Sequence, residues 1–259
     1  MRTIRAAWAV FAFECRRQIS WGRVLGMLAL AAFPAGILWL INRGGGRLVE
    51  HRDAWPTALF ILVPEIVCLL GVLLWVTPAV QTEVEGRTWP YLVVRPAGKA
   101  PILAGKYAAG VFWSMLTGWL ALTLAILVLS PREQALHAWS VLAGLVALPC
   151  TAYGSLFALL GVVFVRRGMI FAVAYTLLEF IVRWIPAMIK QVTVQYHLQG
   201  LLVHWMHLAE GNPVRETFFG KPAPWQHVLV LLGYAVFLLA VAGAILRLRE
   251  LVTATEAAP

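Results

Sequence analysis

Six predominantly apolar runs, each close to the length of a bilayer crossing, constrain this chain more than any other feature. A membrane-spanning helix needs about 20 mostly apolar residues. Runs of that kind cover residues 24–41, 57–80, 107–129, 138–165, 168–189 and 228–245. Hydrophobic residues make up 61% of the sequence and charged residues only 13%. A soluble domain, at about 45–50% apolar and about 25% charged, must cover itself with polar surface and cannot be built from this composition. Backbone polar groups in lipid must be satisfied within the segment, so the runs are expected to be helices; the period-2 alternation of a membrane barrel is not seen. The expected fold class is an all-α membrane protein with six transmembrane helices, forming one transmembrane domain over residues 1–259.

Residues 3–20 are different. They start basic, pass through a short apolar stretch, and end in Glu14-Cys15-Arg16-Arg17. A signal peptide would end in a small-residue cleavage site, and eight apolar residues are too few to span. Ile4, Trp8, Phe11 and Cys15 follow helical spacing, so the segment reads as an amphipathic helix lying on the membrane surface. The long connection at 191–224 is half apolar and is expected to re-enter the outer leaflet before the last span.

The net charge of +9 is distributed as a topology signal. With the N-terminus inside, thirteen of the 21 Lys and Arg residues fall on the inner side and eight on the outer. Basic residues concentrate in cytoplasmic loops, so both termini are expected in the cytoplasm, at the plasma (inner) membrane. The charge is read as contact with anionic lipid head groups, with no nucleic-acid partner. Cys15, Cys68 and Cys150 are far apart and form neither a disulfide framework nor a zinc motif.

The inner connection 81–106 carries the most functional information. It contains Glu83, Glu85, Gly86, Arg87 and Thr88, then Leu92, Arg95 and Pro96, and closes on Gly105-Lys106. Glu83 and Arg87 are four apart, the favoured order for a helical ion pair, and Pro96 ends the element. This pattern resembles the permeases of the ABC-2 type, whose form is roughly E-x-E-x-G-T, Leu, R-P and a Gly-Lys. Arg87 is an additional basic residue within the motif, and Pro90 departs from it. The resemblance extends to the interfacial N-terminal helix, the six spans and the re-entrant segment. It implies the membrane subunit of an ATP-binding-cassette transporter, working as a homo- or heterodimer and exporting its cargo. A separate cytoplasmic ATPase would dock on Glu83, Glu85, Gly86, Arg87, Thr88, Arg95 and Pro96, and would bind the ATP and Mg. No cofactor is expected in this chain. A phosphate-cradling loop needs Gly, four residues, then Gly-Lys-Ser/Thr. Gly98-Lys99 has Val93 at the first position and Ala100 after it; Gly105-Lys106 has Ala100 and Tyr107.

Glu65, Glu179 and Arg183 fall inside expected spans. A charge at mid-bilayer costs at least about 2.5–3.5 kcal/mol, so each must be paired, neutralised or wet. Glu179 and Arg183, four apart, are expected to pair on their own helix, or to line a polar path. These acids keep open a second reading, an ion-coupled secondary carrier. His197, His204 and His207 fall within about 80° of one another on a helix, a weak metal candidate with no acid or Cys to complete it. No catalytic set is placed, so an enzyme is not expected.

Overall fold

The computed structural model describes residues 2–44, 54–85, 98–129, 134–182, 193–208 and 222–248. Among these residues the fold is helical throughout, with no strand. In chain order the elements are α1 (Arg2–Gln18), α2 (Trp21–Arg43), α3 (Ala54–Phe60), a π-helical segment (Ile61–Val67), α4 (Cys68–Trp75), α5 (Pro78–Glu85), α6 (Lys99–Leu129), α7 (Ala135–Val163), α8 (Gly168–Val182), α9 (Val194–Trp205) and α10 (Pro224–Leu248).

Five helices are long and apolar enough to cross a membrane: α2, the run Ala54–Val84 made by α3 through α5, α6, α7 and α10. The chain is thus a multi-pass helical membrane protein. The expected crossing at 168–189 corresponds to α8, a shorter apolar helix of 15 residues; residues 183–189 lie outside the described residues. Helix α9 has only 12 residues, about 18 Å at 1.5 Å per residue, which is too short to span. Thr193 caps it, accepting the Tyr196 backbone N–H at 3.3 Å.

Burial sorts the crossings. In the second, Ala54–Val84, 72% of the apolar window is buried, against 22% in α2 and in α10. The second crossing is therefore central, and packs on α6 and α7. Its core includes Leu59, Phe60, Val63, Val67, Leu69 and Val72. Helices α2 and α10 leave Leu25, Leu28, Leu229, Val236 and Phe237 exposed, as helices bordered by lipid do. Small residues let the inner helices approach, because in lipid close packing replaces the hydrophobic drive. A Cβ on Gly118 of α6 would stand 2.7 Å from Val146 Cγ1 of α7 and 3.0 Å from Cys68 Sγ of α4, so three helices meet at a position only glycine fills.

The π segment has a local cause. Pro64 lacks an N–H and its ring clashes with the carbonyl four residues back, and the wider π turn relieves both. Pro149, by contrast, sits within α7 without ending it.

Candidate functional site

Four charged side chains from three helices meet near one end of the bundle. Lys106 of α6 bonds through Nζ to Glu14 of α1, and to Glu83 Oε1 of α5 at 2.8 Å. Arg17 of α1 bonds to the same Glu83 oxygen and lies 3.6 Å from Glu14. The Lys106 and Glu83 side chains are each 4% exposed and Glu14 is 10% exposed, whereas Arg17 is 42% exposed. Lys106 is thus a buried cation held between two carboxylates, with Arg17 closing the group from the solvent side. The bond to Glu83 holds the Arg17 guanidinium above its ordinary value, and burial works against it. Two negative and two positive charges share the cluster, which lets buried ions persist.

Gly105 explains how α1 comes close enough. A Cβ there would lie 2.6 Å from the Ala7 carbonyl oxygen and 2.8 Å from Val10 Cβ. The α1 and α6 backbones cross at this glycine, and the next residue, Lys106, is then delivered beneath Glu14. The Gly-Lys pair singled out in the sequence therefore has two physical tasks, close approach and charge. Phe11 of α1 packs edge-on against Phe112 of α6, one helical stretch further along the same seam.

Of the motif residues, Glu83 and Lys106 are brought together although 23 positions separate them. Gly86, Arg87, Thr88, Leu92, Arg95 and Pro96, and the side chain of Glu85, lie outside the described residues. Glu14 and Arg17 belong to the cluster but were not among the sequence candidates. Their signal was an acidic residue inside a basic stretch of an otherwise apolar helix.

A second polar group lies deeper. Glu65, in the π segment, and Glu179, in α8, are 1% and 2% exposed. Tyr153 of α7 donates its hydroxyl to Glu179 Oε1 at 2.7 Å, and the Gln195 backbone N–H reaches the same oxygen at 3.4 Å. Gln199 Nε2 donates to Glu65 Oε1 at 3.4 Å. Helix α9 thus contacts both acids. The Gln195 carboxamide is itself buried, with neither polar atom hydrogen-bonded among the described residues. Arg183, the expected partner of Glu179, lies outside the described residues.

The histidines divide. His197 Nδ1 lies 2.9 Å from Nδ1 of His227, a buried residue of α10 absent from the sequence candidates. His204 turns back to the Gly200 carbonyl at 2.9 Å, and its ring centroid is 6.2 Å from that of His227. His207 lies just beyond the helix and its C-cap Met206, at a φ of 52°. No group of three His, Cys, Asp or Glu residues able to hold a metal ion occurs among the described residues. The His197–His227 bond requires at least one neutral ring, because one nitrogen must accept. A single protonated ring can still donate to its neutral neighbour, so the contact needs only one neutral nitrogen to persist. We expect His197→Leu, which takes this partner from the buried His227 ring, to lower thermal stability by about 1–3 kcal/mol; a variant as stable as the wild type would refute this role.

No family model matches the chain, and no curated protein matches it.

Proposed function

We propose that the chain is the permease subunit of an ATP-driven transporter of the ABC-2 type. The observation that carries the reading is the ion pair between Glu83 and Lys106, tied to α1 through Glu14 and Arg17. These two residues bracket the connection in which the motif lies. A force applied to that connection would be passed to α5, α6 and α1 together, since the cluster welds their ends. That is what a membrane subunit driven by a separate motor requires.

In this reading six spans cross the plasma membrane, with α8 beginning the fifth crossing and α9 forming the re-entrant segment. Both termini and the 81–106 connection face the cytoplasm. A second permease copy completes the path. The ATPase partner docks on Glu85, Gly86, Arg87, Thr88, Arg95 and Pro96, binds ATP and Mg, and drives export. This chain is a transport subunit and performs no chemistry of its own. The test is purification of the full chain from its native membrane, followed by assay for an ATP-hydrolysing partner. Glu85→Lys together with Arg95→Glu should abolish partner retention. An unchanged partner yield and an unchanged hydrolysis rate would overturn the docking role.

One observation favours a second reading, an ion-coupled carrier. Glu65 and Glu179 are buried carboxyls joined by contacts to α9, and acids of this kind serve as ion sites in carriers. Transport by the chain alone in vesicles, driven by an imposed proton gradient without ATP, would select this reading over the first.

A further inference from the structure

A cleft of about 540 Å³ opens where the first turns of α1, the start of α6 and the end of α10 converge. Its walls include Ile4 and Ala7 of α1, Pro101 and Ala104 of α6, and two cations, Lys99 and Arg247. The cations come from different helices, one opening α6 and one in the last turn of α10. Its volume lies within the roughly 300–1,000 Å³ typical of small-molecule sites.

The location limits the occupant. Helix α6 has 31 residues, about 46 Å along its axis, against a hydrocarbon core of about 30 Å. Its ends therefore reach the head-group layer, on whichever side of the membrane this end lies. Ile4, at the cleft, and Trp8, one turn further on, are 75% and 67% exposed, apolar surface suited to contact with lipid. The cleft thus faces the level at which phosphates sit above acyl chains. Its own make-up repeats that order: two cations and the positive end of the α6 dipole, beside a wall of Ile, Ala and Pro. A water-soluble anion would use the cations and leave the apolar wall wet. A zwitterionic lipid would bring its own cation against Lys99 and Arg247. An anionic glycerophospholipid satisfies both parts, and basic pockets between membrane helices hold such head groups.

We propose that this cleft binds one anionic phospholipid, whose phosphate lies between Lys99 and Arg247 and whose acyl chain lies along Ile4, Ala7, Pro101 and Ala104. The bound lipid fastens the start of α1 to the end of α10, a contact the ion cluster does not make. This inference needs only the multi-pass fold, and stands whether or not the transporter reading holds.

The test is native mass spectrometry of the full chain in detergent, titrated with phosphatidylglycerol or phosphatidylcholine. The wild type should retain a first phosphatidylglycerol at concentrations where phosphatidylcholine leaves it bare. Lys99→Gln with Arg247→Gln should weaken that adduct about tenfold or more, from roughly 1 kcal/mol per basic residue near an anionic surface. Ala104→Phe, which fills the apolar wall and keeps both charges, should weaken it as well. The paired control Arg23→Gln with Arg43→Gln should leave it unchanged. Equal retention by the wild type and both cleft variants overturns the site. So does displacement of the lipid by millimolar inorganic phosphate, which would mark a free-anion site. If the charge variant fails to fold, Ala104→Phe alone decides between retention and loss.

Discussion

Lys106→Met should destabilise the protein by about 3–5 kcal/mol, the cost of removing one partner from a buried ion pair. The loss comes less from the missing attraction than from what it leaves behind. Glu14 and Glu83 both lie on Lys106, and without it two carboxylates face each other at low exposure, with the half-exposed Arg17 beside them. Replacing the whole buried group tells the two apart. Lys106→Met combined with Glu14→Gln and Glu83→Gln should recover most of the lost stability, because a neutral packed group avoids the desolvation of three ions. Thermal unfolding of the single and triple variants measures the difference. A single variant within 1 kcal/mol of wild type would mean that the cluster is solvated and bears no structural role. If the triple variant folds well yet no longer responds to a motor, the charges serve coupling and not stability.

The second large effect is expected at Gly105→Leu. The first atom of the new side chain would overlap the Ala7 carbonyl and Val10, and a backbone oxygen inside a helix cannot step aside by rotating. Overpacking of this kind costs about 1–3 kcal/mol. Lifting α1 also pulls Glu14 from Lys106 and adds part of the cost above. The readout is trypsin cleavage after Arg16 and Arg17, which should accelerate as α1 detaches. Gly26→Leu is the control, since nothing lies within 4 Å of a Cβ at Gly26. Equal cleavage of the wild type and Gly105→Leu would show that α1 does not depend on this crossing.

These two residues also mark what the sequence makes legible. Hydropathy locates the spans because lipid leaves a backbone no choice but the helix; the first, second and last helices overrun their expected spans by a few residues, the third begins eight residues earlier, and the fourth ends at Val163 rather than 165. Gly105, Lys106 and Glu83 were recognisable as a pattern. Glu14 was not, because its position beside Arg16 and Arg17 resembles an exposed charged cluster, and its buried partner is 92 positions away. His227 escaped for the same reason: 30 positions separate it from His197, and helical spacing on one segment cannot report a contact between two. Pro64 removes a backbone donor from the second crossing, but its presence in the sequence does not tell that the ladder widens into a π turn rather than stops. The seven expected docking positions divide likewise. Only Glu83 acquires a described partner, while Gly86, Arg87, Thr88, Arg95, Pro96 and the side chain of Glu85 lie outside the described residues.

The ion cluster has one more property. Its two carboxylates and two cations sum to no net charge. Moving a single elementary charge through the whole membrane potential costs or releases about 2.3 kcal/mol per 100 mV. A neutral group carried as one body does neither, so these four side chains together add no net coupling of the α1, α5 and α6 junction to the membrane potential. Any voltage sensitivity of that junction would have to enter through other charges, such as Arg5 and Arg16 of α1.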